Sequence, residues 1–180
     1  MENDTTIPRI PGLAQRLVAP LPPPLIGSLA ARLMRQAGKS HPELFARLGE
    51  HAYKRYEIAP SDLPFVFLMT PDPAAPQLRV LRKGRASWDC RISGSLAALL
   101  GMIHGAYDGD ALFFSRDITV EGDTAAGLAL RNAIDNSEID LFEEATALLG
   151  PLRSRAIPGL TPLVNALERR TGVALRRVEL

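Results

Sequence analysis

The chain has few of the features that mark several common classes of protein. It has one cysteine, Cys90, which excludes an internal disulfide and cannot by itself hold a structural zinc ion or an iron–sulfur cluster. The formal net charge is +1, which gives no general attraction to polyanions, so we expect no nucleic-acid partner. No stretch approaches the roughly 18 consecutive apolar residues that a membrane-spanning helix needs.

The first residues, MENDTTIPRIPG, lack the basic segment and apolar core of a signal peptide. A single cysteine fits a reducing compartment, although it does not require one. From these two observations we expect a cytoplasmic protein that spans no membrane.

Motifs for catalysis and metal binding are also scarce. There is no Gly-x-Ser-x-Gly elbow, no phosphate-binding glycine loop and no His or Cys cluster with metal-ligand spacing. Asp123 and Glu121 flank a glycine, but helix capping explains Asp123, and Glu121 falls on the polar face of a predicted strand. His104 ends an apolar helix, where it either caps the last carbonyls or lines the mouth of a pocket. We predict no catalytic residue, no metal site and no cofactor, and therefore that the protein is not an enzyme.

The prediction of the fold starts from the stretch between Asp108 and Asp135, which we interpret as a long strand followed directly by a helix. Its apolar run and the alternation that follows indicate a strand over 111–121, with Asp108 and Asp110 in a preceding turn. Asp123 is a good N-cap for the helix that follows directly. That helix has an apolar stripe that includes Ala126 and Leu130.

The rest of the sheet is predicted from shorter signals. The segments 63–70 and 77–82 indicate a hairpin, and the alternation over 86–92 indicates a third antiparallel strand that carries Cys90 on its apolar face. Ser95 begins a helix that runs to Ile103 and carries almost no charge, so we expect it to be buried.

Helices are predicted at both ends of the chain. A short helix over 12–19 and a proline-rich segment precede an amphipathic helix over 25–37, and a capping-box pattern at 40–43 begins another helix that Pro60 closes. At the other end, helices are predicted over 141–149 and 161–172. We expect an α+β fold, with residues 1–60 as an N-terminal helical leader and residues 61–180 as the main domain.

The segment DITVEGDT, followed by a helix with Asn132 and Asp135 in an Asn-x-x-Asp arrangement, resembles the SCP2 sterol-carrier family over about residues 65–149. With its helical leader, the chain most resembles the small bacterial SCP2-type accessory factors of oxygen-independent ubiquinone biosynthesis. The resemblance implies an SCP2-like antiparallel sheet, mixed at its edge, covered by helices. It also implies a non-catalytic carrier that presents a polyprenylated quinone intermediate, or another membrane lipid, to hydroxylases of that pathway.

The residues expected to bind lipid supply more apolar surface than the sheet needs to cover it. Small members of the set would leave room for a lipid chain. The set comprises Phe65, Phe67, Leu96, Ala97, Leu99, Leu100, Gly101, Ile103, Phe113, Phe114, Ala126, Leu130, Leu163 and Leu167.

Two alternatives remain open on the sequence alone. The apolar residues either border a cavity or seal a solid core, in which case the protein is a ligand-free scaffold for other proteins. The helix over 25–37 either contacts a membrane as a peripheral anchor or packs on the domain. Its candidate membrane-contact residues are Ile26, Leu29, Arg32, Leu33 and Arg35.

Overall fold

A computed structural model describes residues 7, 22–137, 139–171 and 173–177 of the chain. The helices are α1 (Pro23–Ser40), α2 (Pro42–Arg47), α3 (Leu96–Ile103), α4 (Gly109–Phe114), α5 (Thr124–Asp135), α6 (Leu141–Ala147) and α7 (Arg153–Thr171). The strands are β1 (Tyr56–Pro60), β2 (Phe65–Thr70), β3 (Gln77–Arg82), β4 (Cys90–Gly94) and β5 (Ile118–Gly122). Single 3₁₀ turns span Gly49–Tyr53 and Gly150–Leu152.

The five strands form one sheet in the order β3-β2-β1-β4-β5. Neighbouring strands are antiparallel except β1 and β4, which run parallel with Ile58 opposite Ile92. The α+β class is confirmed, and the mixed pairing lies at the centre of the sheet rather than at its edge. Helices α2, α3 and α5 contribute to the main core together with one face of the sheet.

Several elements form where local signals predicted them. The hairpin of β2 and β3 is present, and α3 begins after Ser95, whose hydroxyl accepts a hydrogen bond from the amide of Ala98 at 3.1 Å. Asp123 caps α5 in the same way through the amide of Ala126 at 3.0 Å. Caps of this kind satisfy amides that the first helical turn leaves free.

The central strand β1 was predicted as helix, and that prediction is wrong. Helix α2 ends at Arg47 because Gly49 adopts a left-handed conformation with φ of 53°, which breaks the helical path. The capping-box prediction also fails: Ser40 is the last residue of α1, and His41 occupies the N-cap of α2 without a side-chain hydrogen bond to it. Tyr56 points into the core from a strand instead of from a helix.

The predicted strand over 111–121 is also corrected, because its first part is the short helix α4. Asp108 accepts a hydrogen bond from the amide of Asp110 at 2.8 Å and begins that helix, so these two residues do not form a hairpin turn. Arg116, with φ of 63°, then separates α4 from β5. A four-residue apolar run does not by itself distinguish helix from strand.

The third predicted strand and the last predicted helix are displaced. Strand β4 starts at Cys90 and lies beside β1 and β5 rather than beside the hairpin. Helix α7 begins at Arg153, before the predicted start at residue 161, and contains Pro158 and Pro162. Proline removes a backbone donor, which suggested a helix start, but the helix continues through both positions. The predicted helix over 12–19 lies outside the described residues.

Residues before 60 belong structurally with those after it. Helix α1 lies along β3, where a Cβ placed on Gly27 would be 3.6 Å from the backbone nitrogen of Val80. Strand β1 is the middle strand of the sheet. The predicted boundary at residue 60 therefore does not separate a leader from the unit that contains the sheet.

Candidate functional site

An apolar cavity of about 300 Å³ lies between one face of the sheet and the helices that cover it. All but one of its lining residues are apolar. They are Ala30, Leu33, Met34 and Ala37 of α1, Leu44 and Phe45 of α2, Leu96, Leu99, Leu100 and Ile103 of α3, and Leu130 and Ile134 of α5, with Ile58, Pro60, Phe67, Met69, Pro71 and Leu78 from the sheet side, and Ile139, Leu141 and Glu144 from the segment around α6.

The strand register explains why the sheet supplies this wall. Successive side chains of a strand point to opposite faces. Phe67 of β2 is paired with Ile58 of β1, and Met69 of β2 is paired with Leu78 of β3. Side chains from three neighbouring strands therefore form a continuous apolar surface.

A second void of about 120 Å³ adjoins the cavity. Ile58, Leu99 and Leu130 line both spaces, and Ile92 and Met102 line only the smaller one. The unfilled space therefore extends deeper between α3, α5 and the sheet.

Six of the residues predicted to bind lipid line the larger cavity together. They come from one strand and two helices that are distant in sequence, and their shared orientation follows from the packing of α3 and α5 on the sheet. The six are Phe67, Leu96, Leu99, Leu100, Ile103 and Leu130.

Four others of the predicted set are buried but do not line this cavity. Ala97 and Ala126 are fully buried in packing contacts. Phe65 packs with Phe67, their ring centroids 5.9 Å apart. Gly101 lies against Tyr107, whose ring would be 2.1 Å from a Cβ at position 101. Gly101 was predicted to leave room for a ligand, and in fact it leaves room for this ring.

The remaining four lie on the surface, which corrects the prediction that they border a cavity. Phe113 and Phe114, on α4, are 54% and 82% exposed. Leu163 and Leu167, on α7, are 67% and 49% exposed. Their apolar character was correctly recognised, but α4 and α7 lie with these side chains outward.

The candidate membrane-contact residues of α1 divide between its two faces. Leu33 lines the cavity, and Ile26 packs against the buried cluster of Ala30 and Phe65. Leu29, Arg32 and Arg35 are exposed on the outer face. The apolar stripe of α1 therefore packs on the domain, which was the alternative interpretation of this helix.

Sequence reasoning missed much of the wall contributed by residues before 60. Ile58 was placed in a helix, and Leu44 and Phe45 were not considered as lining residues. The alternation of Tyr56, Ile58 and Pro60 was the available signal for a strand, but it is only five residues long.

Glu144 is the one ionisable residue in the lining, and its carboxylate is held by the junction between α1 and α2. One oxygen accepts a hydrogen bond from the hydroxyl of Ser40 at 3.2 Å, and the other lies 3.1 Å from Nε2 of His41. The Glu144 side chain is only 9% exposed. These contacts satisfy a carboxylate that would otherwise be costly to bury, and they join α6 to α1.

His104 neither caps α3 with its side chain nor lines the cavity. It is fully buried, its Nε2 accepts a hydrogen bond from the amide of Leu141 at 3.2 Å, and its Nδ1 lies 2.8 Å from the carbonyl oxygen of Ala174. An Nε2 acceptor requires the proton on Nδ1, which then donates to Ala174. Burial lowers the pKa of His104, so the neutral ring is favoured.

The structure also shows the surroundings of two other polar residues, Cys90 and Glu121. Cys90 is fully buried, and desolvation raises the pKa of its thiol to about 11, which disfavours the reactive thiolate. Glu121 is exposed, with one oxygen 3.7 Å from Nη1 of Arg91.

The described residues contain neither a metal-binding cluster nor a membrane-spanning helix. Within this part of the chain there is no group of three or more His, Cys, Asp or Glu side chains arranged to hold a metal ion. No helix among the same residues combines the length and the apolar character needed to cross a bilayer.

Comparison with known families identifies the fold. The sequence model of the SCP-2 sterol transfer family matches residues 31–135. The chain belongs to the SCP-2 sterol transfer family. The match starts before residue 65, where the resemblance was expected to begin, and therefore includes β1 and most of α1.

A solved structure shares the architecture, and two others are similar to parts of the chain. A structure described as a UbiJ-SCP2 ubiquinone synthesis protein is 18% identical, with a TM-score of 0.53 over 66% of this chain and 96% of that chain. Sterol carrier protein 2 is 17% identical, with a TM-score of 0.46 over 66% of this chain and 94% of that one. The apo form from Yarrowia lipolytica is 10% identical, with a TM-score of 0.43 over 59% of this chain and 87% of that one. No curated protein matches this SCP-2 chain by sequence.

Proposed function

We propose that this SCP-2 family protein is a non-catalytic lipid-binding accessory factor that holds the hydrocarbon tail of a lipid in the cavity. The observation that carries the proposal is the apolar lining, which draws on α1, α2, α3, α5 and the sheet. Small-molecule sites are typically concave and mostly apolar, as this one is.

The size of the cavity limits what it holds. At about 300 Å³ it lies at the lower end of the range for ligand sites, so it accommodates part of a long tail rather than a whole lipid. Burial of each methylene contributes about 0.8 kcal/mol, so a few isoprene units give a useful affinity without any polar contact. Because the carboxylate of Glu144 already has two partners, specificity rests mainly on the shape of the tail.

We further propose that the lipid is a polyprenylated quinone precursor and that the pathway is oxygen-independent ubiquinone biosynthesis. Two observations support this assignment: the sequence resemblance to the bacterial subfamily that includes UbiT, and the structural likeness to a protein described as acting in ubiquinone synthesis. In this role the protein would present hydrophobic intermediates to hydroxylases of the same pathway.

Filling the cavity from α1 tests lipid binding. Ala37 lines the space, so Ala37→Phe places a ring where a tail would lie. Leu29→Phe is the matched control on the outer face of the same helix, where the side chain is 54% exposed. We expect Ala37→Phe to reduce uptake of a fluorescent prenyl lipid at least about ten-fold, with less than about 1.5 kcal/mol change in stability. Leu29→Phe should retain wild-type uptake.

Two results would count against the cavity. The first is unchanged uptake by Ala37→Phe together with a stability loss of about 1–3 kcal/mol, the sign of an overpacked solid core. The second is failure of the wild type to take up any prenyl or acyl lipid. Native mass spectrometry of the purified protein provides an independent check for lipid that co-purifies.

A ligand-free scaffold is the second candidate function. The exposed Phe113 and Phe114 on α4, whose ring centroids are 6.2 Å apart, favour it as a potential protein-binding surface. Absence of lipid uptake, combined with loss of a partner complex in Phe113→Ser, Phe114→Ser, would support the scaffold over the carrier.

A further inference from the structure

Helix α7 differs from the other long helices in having no buried residue along its 19-residue length. It packs only partially, against α6 and the 3₁₀ turn that precedes it. Leu163 and Leu167 are separated by one helical turn and therefore share a face. They are 67% and 49% exposed, and Leu152, just before the helix, is 60% exposed.

The exposed charges of α7 that have no ion-pair partner among the described residues are all positive. Arg155, Arg169 and Arg170 are exposed, and none of the three forms an ion pair with another residue in the described part of the chain. The one acidic residue of the helix, Glu168, is half-buried and pairs with Arg176 at 2.6 Å. The outward side of α7 therefore combines exposed leucines with unpaired cations.

A helix with leucines on one face and arginines beside them has the composition of an interfacial membrane helix. The leucines enter the boundary between headgroups and acyl chains, and the arginines interact with anionic headgroups. Arginine side chains can also extend toward the headgroups while their methylenes remain in the apolar layer. The surface of an anionic bilayer complements both properties.

We propose that α7 docks the protein on anionic lipid bilayers through Leu163, Leu167 and Arg170, which lies three residues after Leu167 and therefore on the leucine face. The position of α7 in the fold suits this role, because it packs on α6, which contributes Leu141 and Glu144 to the cavity lining. The apolar stripe of α1 packs on the domain, and its outer face, with Leu29, Arg32 and Arg35, serves as the comparison surface.

Co-sedimentation with vesicles tests the assignment. The full chain is mixed with vesicles of phosphatidylcholine alone and with vesicles that also contain phosphatidylglycerol. We expect binding to the anionic vesicles, weak binding to the neutral ones, and a loss of binding as the salt concentration rises. A wild-type protein that does not bind the anionic vesicles would overturn the proposal and leave the face available to a protein partner.

Paired variants assign the binding surface. Arg170→Gln should lower the partition coefficient about five-fold. Arg169→Gln, on another side of the helix, should lower it less. Leu163→Gln with Leu167→Gln should lower it about ten-fold or more. All four side chains are exposed, so the melting temperature should stay close to that of the wild type. It serves as the check on folding.

The matched control lies on the outer face of α1. Leu29→Gln with Arg32→Gln and Arg35→Gln removes the same kinds of exposed side chain from a different helix. This variant should bind anionic vesicles like the wild type. Wild-type binding by the α7 variants, or a loss of binding confined to the α1 variant, would contradict the assignment to α7.

The proposal is separable from lipid carriage. Uptake of a fluorescent lipid delivered from ethanol, without vesicles, reports on the cavity alone. The α7 variants should retain that uptake, whereas Ala37→Phe should lose it and still bind vesicles. If the α7 variants lost both properties, α7 would be a part of the carrier site, and its role as a separate bilayer contact would be refuted.

Discussion

The wall of the cavity and the outward face of α7 are both rich in leucine, but the fold buries the leucines of the wall and leaves those of α7 exposed. Leu99 on the cavity wall is 3% exposed, whereas Leu163 on α7 is 67% exposed. The first surface is enclosed by helices and carries one ionisable residue, Glu144, whose charge is partnered. The second is open and flanked by arginines. Leucine content therefore does not separate the proposed lipid-holding surface from the proposed docking surface, but the surrounding charges do.

The largest expected effect is the loss of stability when a side chain of the cavity wall is truncated. Leu99→Ala removes a buried side chain that lines both voids, and we expect a loss of about 2–5 kcal/mol in the free energy of unfolding. Leu163→Ala is the matched control on α7 and should change stability by less than about 0.5 kcal/mol. Urea unfolding of the two variants measures the difference. Equal losses would show that α7 is as well packed as the wall.

A smaller effect concerns the polar part of the wall. His41→Ala leaves the buried carboxylate of Glu144 with Ser40 as its remaining partner, and we expect a cost of about 1–3 kcal/mol. Because Glu144→Gln removes the charge and keeps the shape, His41→Ala should cost less in that background. A double-mutant cycle in urea measures the coupling. Additive losses in the free energy of unfolding would mean that the His41–Glu144 contact contributes nothing to stability.

The smallest effect is a pH dependence at His104, which joins α3 to both α6 and the segment after α7. Burial lowers the pKa of His104 in the folded state, so the unfolded chain binds a proton first as the pH falls. The contribution to stability is complete above the ordinary pKa of about 6.5 and is lost progressively below it. Melting temperatures of the wild type should fall more steeply with acid than those of His104→Gln. Parallel pH profiles would exclude His104 as the source.

Elements with strong local signals were predictable from the sequence. The hairpin of β2 and β3 is bounded by prolines, and α3 and α5 each begin at a capping residue, Ser95 and Asp123. These signals act within a few residues and need no tertiary partner. The central part of the sheet had no such signal, since β1 pairs with β4 across the intervening hairpin.

The candidate site was predictable only in part, for a related reason. The periodicity of α3 placed Leu96, Leu99, Leu100 and Ile103 on an apolar helix, and all four line the cavity. The direction that an apolar side chain takes in an amphipathic or short element depends on which partner covers it. Phe113 and Leu167 satisfy the same pattern and point outward. Gly101 shows the same limit at one residue, because only the fold reveals that Tyr107 occupies its free space.

The parallel pairing of β1 with β4 has a consequence for how the chain folds. Between these strands lie β2, β3 and their connections, so the middle of the sheet closes only after that whole stretch has been synthesised. Pairings between distant segments form slowly because the loop entropy is lost before the contact is gained. During this interval the future lining of the cavity is uncovered on the ribosome. We therefore expect the nascent chain to be a substrate for chaperones until α3, α5 and α6, which follow β4 and complete the lining, have emerged.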